Sequence, residues 1–176
     1  MVFKFCENYF FRNKFYKKIL KVPIDIFYLV DCGCDFILNG SETNLATFVE
    51  DIMHLKAISE LSNINKLFVC AIGLNVDCGD GVLENELSDR IEYLKRKNIL
   101  VYSKILNMSD EETIYYYNIL SLCKPKKSNV HSFIMATLDG KNGFHTPSNI
   151  KNKIGSNTSV NLSELTKTLI ICDGNK

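Results

Sequence analysis

The sequence predicts a mixed α/β domain, in which a mostly parallel, Rossmann-like sheet is flanked by helices. Residues 24–30 and 66–73 form two nearly continuous apolar runs, a pattern typical of strands buried on both faces of a parallel sheet. A capped amphipathic helix pattern separates them, and residues 99–105 supply a third strand candidate. Strands that alternate with helices indicate crossover connections, which join parallel strands.

Four helix patterns lie between and after these strands. They cover residues 47–61, 83–97, 109–122 and 128–138. The first begins at a capping box, in which the Thr47 hydroxyl caps the helix and Glu50 reaches back to the cap. After the last of them, residues 165–172 alternate weakly and predict a terminal strand.

The N-terminal stretch differs in composition from the rest of the chain. Residues 1–22 are basic and aromatic and predict a helix, whereas residues 23–176 form the α/β domain. Apolar positions of the first segment recur at spacings of three and four until a proline ends the pattern. We expect Phe11, Phe15, Ile19 and a neighbouring aromatic to be buried against the sheet or a partner, because a fully buried large side chain stabilises a fold by about 1.5–3 kcal/mol.

Length, charge and hydropathy exclude several kinds of partner. The chain has 176 residues, which suits one domain, and its net charge of +1 argues against a nucleic-acid partner. Basic residues crowd the N-terminus and surround Pro125, but such runs are usually solvated faces. No apolar run reaches the roughly 18 residues that cross a bilayer, so no membrane partner is expected. A small-molecule ligand and a homo-oligomer both stay open.

The seven cysteines are odd in number and scattered along the chain. No secretory signal pattern precedes them, so we expect reduced thiols and a cytoplasmic location. Cys32 and Cys34 are separated by one residue and have no second pair at zinc-finger spacing, which disfavours a zinc site. Asp31 and Asp35 flank the pair, and their negative charge would oppose a thiolate. A nucleophilic cysteine here is therefore disfavoured.

Two polar, glycine-containing loops follow the first two strands and form the candidate site. Ligands of parallel sheets bind at the carboxyl ends of strands, where such loops meet. The predicted ligand contacts are Asp31, Gly33, Asp35, Gly40, Glu42, Gly73, Asp80 and Gly81. Clustered carboxylates repel one another unless a cation joins them, so Asp31 and Asp80 predict a Mg²⁺ site. The alternative is that these acids only cap backbone N–H groups in turns.

The histidines and the short nucleotide-binding motifs add no second site. None of His54, His131 and His145 stands at a spacing from Ser or Cys that predicts a catalytic triad, so a structural role is favoured for each. The chain has neither a G-x-G-x-x-G nor a P-loop sequence, and its acidic loop does not fit an EF-hand.

The first loop also resembles a known family. Its strand ends in V-D-C-G-C-D and continues through a glycine, a Glu, a Leu, a Thr and an acidic residue that opens a helix. The matching residues are Val30, Asp31, Gly33, Asp35, Gly40, Glu42, Leu45, Thr47 and Asp51. This pattern is similar to the domain of unknown function 1152 family, known mainly from archaea and bacteria. With weaker later matches, the resemblance covers roughly residues 24–173.

The departures from that family also carry information. Cys34 stands where the family has a second glycine, and Phe48 stands where it has a proline. Family members begin with a strand and a G-G-G-D loop that this chain lacks, so the resemblance implies an incomplete version of the family's Rossmann-like fold. Because the family has no established activity, the resemblance implies a fold and a site but no reaction.

Two functions are consistent with these observations. The first is the binding of a small polar or phosphorylated, nucleotide-like metabolite at the two loops, by an enzyme or an enzyme remnant. The alternative is a truncated or divergent, non-catalytic module that acts through protein–protein interaction. A ligand that raises the thermal stability of the protein would distinguish them.

Overall fold

The computed structural model describes residues 14–18, 21–42, 48–122, 129–146 and 159–176. At residues 48–51 and 80 it describes the backbone only. No helix in these ranges is long and apolar enough to cross a membrane.

Helices and strands alternate along the described chain. The strands are β1 (Ile24–Cys32), β2 (Ile64–Ile72), β3 (Leu100–Ile105), β4 (Gly143–His145), β5 (Val160–Leu162) and β6 (Thr168–Asp173). The α-helices are α1 (Phe48–Ser59), α2 (Glu84–Arg96), α3 (Glu111–Leu122) and α4 (Asn129–Leu138). Three short 3₁₀ turns join them: η1 (Asp35–Ile37), η2 (Val76–Asp80) and η3 (Glu164–Lys167). The α/β class is therefore confirmed, as are the strands predicted at residues 24–30, 66–73 and 99–105 and the four helices.

The main sheet contains four strands in the order β1-β2-β6-β3. β1 and β2 pair in parallel, as predicted, with Val30 opposite Cys70 and Cys32 opposite Ile72. β6 runs antiparallel to both β2 and β3. The mostly parallel sheet expected from the sequence is not confirmed, because the terminal strand inserts between β2 and β3 and makes two of the three pairings antiparallel.

Helices cover both faces of this sheet. On the face named here the α1/α2 face, Val69, Ala71 and Ile170 pack with Leu87 of α2 and Leu55 of α1. On the opposite α3/α4 face, Ile72 packs with Ile134 of α4, and Cys32, Tyr116 and Leu169 lie beside them. Because successive residues of a strand point to opposite faces, Asp31 and Cys32 project to different sides of the sheet.

A second, two-stranded sheet joins β4 to β5 in antiparallel register. Val160 and Leu162 of β5 pack with Phe133 of α4 and Val76 of η2 in a separate apolar cluster. The sequence did not predict these strands, because each has only three residues and the intervening residues are polar.

The N-terminal prediction is tested only in part. Residues 14–18 are helical, but Phe11 and Ile19 lie outside the described residues. Phe15 is 50% exposed, so it does not pack against the sheet, and its burial against a partner stays a prediction. The burial instead involves its neighbour Tyr16, whose ring contacts both Phe15 and His54 of α1. This one helical turn therefore lies near the carboxyl end of β1.

Candidate functional site

The two predicted loops meet at Asp77, a residue of η2. The backbone N–H of Cys34 donates to Asp77 Oδ2 at 2.5 Å, and the N–H of Asp35 donates to the same oxygen at 3.3 Å. One residue earlier, Gly33 N donates to the Ile72 carbonyl at 2.9 Å and prolongs the β1–β2 pairing. A carboxylate that accepts two backbone N–H groups fixes the loop after β1 against the loop after β2. The sequence-based site did not include Asp77.

The close approach at this junction requires glycine at position 33. Gly33 has a φ of +143°, and a Cβ placed on it would lie 2.4 Å from Asp77 Oδ2. Any larger residue would therefore displace the carboxylate that anchors the loop. Gly33 is thus a structural residue of the junction, whatever ligand the loops bind.

The Asp77 carboxyl is held in an environment that disfavours its charge. Burial raises its pKa, and the nearby Asp35 carboxylate adds to this effect, although the N–H of Cys34 opposes it. Burial and the adjacent Asp77 likewise raise the pKa of the Cys34 thiol far above its ordinary value. Cys34, which is fully buried, is therefore a protonated core thiol rather than a nucleophile.

The raised pKa of Asp77 predicts a specific pH dependence of stability. A carboxyl whose pKa is higher in the folded state contributes stability below its unfolded value, about 3.9, and loses it as the pH rises through the folded pKa. The free energy of unfolding of the wild type should therefore fall, relative to Asp77→Asn, as the pH rises from about 4 towards neutrality. Urea denaturation of both proteins over this range measures the difference. If the stability of the wild type relative to Asp77→Asn stayed constant or increased with pH, the raised pKa of Asp77 would be contradicted.

A cleft of about 280 Å³ lies at the carboxyl end of β1, on the side of the sheet away from the α3/α4 face. It is lined by Tyr16, Leu29, Val30, Asp31, Phe36 and His54. Phe36 is nearly fully buried and forms an apolar wall, whereas Asp31 is partly exposed at the end of its strand. The cleft thus combines one carboxylate, one imidazole and one phenol with an apolar surface.

Tyr16 and His54 are joined across the cleft wall. The Tyr16 hydroxyl lies 2.8 Å from His54 Nδ1, and the two rings meet edge to face with centroids 6.1 Å apart. This hydrogen bond fixes the orientation of the imidazole and leaves its role as donor or acceptor set by the tautomer. The sequence favours a structural role for His54, because no sequence pattern pairs two residues 38 positions apart.

The predicted ligand contacts are divided among several places. Asp31 lines the cleft, and Asp35 is buried beneath the junction with Asp77. Glu42 accepts the N–H groups of Asn39 and Gly40 at 2.7 and 2.8 Å, so it caps its own loop. Although desolvation acts against them, these N–H donors lower the pKa of Glu42. Glu42 therefore caps backbone N–H groups in a turn, which was the alternative to a ligand contact.

Glu42 also faces a second depression of about 330 Å³, which it shares with Arg90 and Arg96 of α2. Asp31 does not line this depression, so the structure does not bring Asp31 and Glu42 into one cleft. Arg90 Nε donates to the Ile37 carbonyl at 2.5 Å and is thereby committed to holding η1 on α2.

The remaining predicted contacts are glycines and one acid. Gly73 and Gly81 adopt positive φ values of 79° and 114° at the two ends of the second loop. A Cβ on Gly73 would meet Val130 at 2.6 Å, so this glycine is needed for packing against α4. The Asp80 side chain lies outside the described residues. Within the described part of the chain, no group of three His, Cys, Asp or Glu side chains is placed to hold a metal ion.

Comparisons with known proteins leave the family open. No protein-family model matches this chain, and no curated protein or solved structure matches it either. The resemblance of the first loop to the domain of unknown function 1152 family therefore stays a prediction.

Proposed function

We propose that the cleft lined by Asp31, His54 and Tyr16 binds a small, hydroxyl-bearing polar metabolite. The observation that carries the proposal is the position of Asp31, a carboxylate at the carboxyl end of β1 beside the Tyr16–His54 pair. In α/β sheets this end of a strand is where ligands bind, and a carboxylate there can accept hydrogen bonds from ribose hydroxyls.

The residues that line the cleft suit the sugar or nucleoside part of a nucleotide-like ligand better than its phosphate. The partly exposed Asp31 carboxylate can accept a hydroxyl hydrogen bond, the Tyr16–His54 pair offers further polar contacts, and Phe36 and Leu29 supply an apolar wall. The six described lining residues include no Lys or Arg, so the cleft suits an uncharged sugar or nucleoside rather than a phosphate. A phosphate on such a ligand would need a partner other than these six residues.

The volume of the cleft supports a small ligand. At about 280 Å³ the cleft is slightly smaller than most small-molecule sites, which span roughly 300–1,000 Å³. A dinucleotide would not fit, which agrees with the lack of a G-x-G-x-x-G motif. The proposal also includes the predicted Mg²⁺ site at Asp31 and Asp80 and a Rossmann-like relationship of the sheet.

A second candidate function is a non-catalytic interaction module. Ile26, Tyr28 and Val30 occupy alternate positions of the edge strand β1, and each is about half exposed. Contiguous exposed apolar side chains on an edge strand favour contact with another protein, including a second copy of the chain.

One thermal denaturation experiment separates the two functions. Ribose, adenosine and AMP, each with and without Mg²⁺, are added to the wild type and to Asp31→Asn. At 100 times its dissociation constant a ligand stabilises by about 2.7 kcal/mol, which raises the midpoint by roughly 5–10 °C. We expect such a shift for at least one probe in the wild type and a shift at least several-fold smaller in Asp31→Asn.

The control is Asp25→Asn, which changes an exposed carboxylate at the other end of the same strand. It should respond as the wild type does. Equal shifts in Asp31→Asn and the wild type would contradict a site at Asp31. A thermal midpoint that no probe changes, but that rises with protein concentration, would instead favour the interaction module.

A further inference from the structure

Three reactive side chains converge on the α3/α4 face, away from the cleft. Cys32 Sγ lies 3.7 Å from His131 Nε2, within the range of a hydrogen bond to sulfur. The Tyr116 hydroxyl lies 2.7 Å from His131 Nδ1, the other nitrogen of the same ring. Cys32 ends β1, Tyr116 belongs to α3 and His131 to the first turn of α4. Three separate elements thus place a thiol, an imidazole and a phenol in line.

The two contacts use both ring nitrogens of His131. A neutral imidazole carries one proton, so one nitrogen donates and the other accepts. If Nδ1 donates to the Tyr116 oxygen, the lone pair of Nε2 faces the Cys32 thiol and can accept its proton. Tyr116 is then a positioning residue, which orients the ring without touching the reacting sulfur.

We propose that Cys32 is a nucleophile, activated by His131 as general base, that accepts acyl groups from activated esters or thioesters. A nucleophile, a base within hydrogen-bond reach and a third group that orients the base are the arrangement expected for such chemistry. The Cys32 site lies on the sheet face opposite the Asp31 cleft. Its test therefore does not depend on whether the cleft binds the ligand proposed above.

The electrostatic environment selects the mechanism. Burial raises the pKa of Cys32, and the neighbouring Asp31 and Asp77 carboxylates raise it further, so the resting thiol is protonated. Burial lowers the pKa of His131, so its imidazole is neutral at pH 7. Burial also raises the pKa of Tyr116, which keeps the phenol neutral. The pair is therefore a neutral thiol and a neutral base, and the proton must move as the sulfur attacks.

The surroundings fit an acyl group better than a charged electrophile. The buried side chains of Ile72, Leu106 and Ile134 pack against Cys32 and Tyr116. Cys32 and His131 themselves are partly exposed, so the pair lies at the margin of this apolar cluster rather than inside it. An apolar, partly desolvated setting strengthens the thiol–imidazole interaction and disfavours an ionic reactant.

The proposed step can be written in full. The Cys32 sulfur forms a bond to the acyl carbon while its proton passes to His131 Nε2, and the carbonyl oxygen becomes negative. Collapse of this intermediate restores the carbonyl and breaks the bond to the alcohol or thiol leaving group. The leaving group takes the electron pair, and the proton on His131 passes to it or to solvent. The products are an S-acyl Cys32 and the free leaving group.

The test uses p-nitrophenyl acetate, with S-phenyl thioacetate as a second probe. Released p-nitrophenolate gives the rate, and peptide mass spectrometry locates each acetyl group among the cysteines. Cys78 is the internal control, because it is also partly exposed and burial raises its pKa to about 11, while no histidine contact accompanies it among the described residues. At pH 7.5 we expect Cys32 to be acetylated at least ten times faster than Cys78.

Variants assign the roles. His131→Gln should slow acetylation of Cys32 about 100-fold, since general bases typically contribute 10²–10⁴-fold. Tyr116→Phe should slow it by a smaller factor and preserve the pH profile, as expected when only the orientation of the ring is lost. Cys78→Ala should leave the Cys32 rate unchanged.

The pH profile of the wild type keeps the test valid even if His131→Gln folds poorly. Because burial lowers the pKa of His131, the Cys32 rate should rise with a midpoint below pH 6.5 and then level off, whereas the Cys78 rate should climb through pH 9. A Cys32 rate equal to that of Cys78, or one that climbs with pH in the same way, would overturn the proposal. So would a folded His131→Gln variant that reacts as fast as the wild type.

Discussion

Replacing Asn75 by Ala is expected to lower the free energy of unfolding by about 3 kcal/mol. Asn75 is almost fully buried directly before η2. Its amide donates to the Asn161 carbonyl at 2.8 Å and to the Ser163 hydroxyl at 3.2 Å. Its carbonyl accepts the fully buried Thr166 hydroxyl at 2.8 Å. Each buried partner left unsatisfied costs about 1–3 kcal/mol, and the contacts act as one network.

The expected loss of stability is large because Asn75 joins two separate segments of the chain. β5 and η3 precede the inserted strand β6, so this amide links the loop after β2 to the segment that delivers β6 to the sheet. Urea denaturation of Asn75→Ala measures the loss. Asn65→Ala is the matched control, because Asn65 is exposed and makes one hydrogen bond of 3.3 Å to Asp25. The control should change stability by no more than about 0.5 kcal/mol, and equal losses in the two variants would refute the network.

Gly33→Ala is expected to destabilise the protein by a similar amount, about 3 kcal/mol. Its φ of +143° is strained for any residue with a Cβ, which costs about 1–3 kcal/mol. The new methyl group would also lie 2.4 Å from Asp77 Oδ2 and would push the carboxylate away from Cys34 and Asp35. The second effect removes the junction between the two loops.

A glycine elsewhere separates these two effects. Gly140 has a φ of +84°, but a Cβ there would meet no atom within 4 Å. Gly140→Ala should therefore show the backbone cost alone, about 1 kcal/mol. Combining Gly33→Ala with Asp77→Ala in a double-mutant cycle isolates the clash. Gly33→Ala should cost less in that background, and an unchanged cost would mean that Asp77 is not what excludes a side chain at position 33.

Much of the fold could be predicted because its signals are local. The apolar runs of β1 and β2 and the helix between them lie within 49 consecutive residues, Ile24 to Ile72, and they pair in parallel as their pattern indicates. The direction of β6 could not be predicted, because an antiparallel insertion depends on a return path through η3 rather than on the six residues of the strand itself. Topology of this kind is a property of the whole chain.

The candidate site, like the fold, could be predicted only where its signals are local in the sequence. The sequence correctly places Asp31 at the end of a strand and brings the loops after β1 and β2 together. It could not identify Asp77 as the residue that joins them, since one acid among several in a polar loop has no distinguishing pattern. The pairing of Cys32 with His131 spans 99 positions, and that of Tyr16 with His54 spans 38. Side-chain pairs at such separations arise only from packing.

The most direct test of the cleft is a titration of the histidine rings followed by NMR. The chain has three histidines, and only His54 lines the cleft, whereas His131 lies on the α3/α4 face and His145 in β4. A ¹³C-histidine sample is titrated with whichever of ribose, adenosine or AMP raises the thermal midpoint. The proposal predicts saturable shifts of the His54 ring with little change at His131 and His145, and their loss in Asp31→Asn. Shifts at His131 or His145 without any at His54 would contradict it.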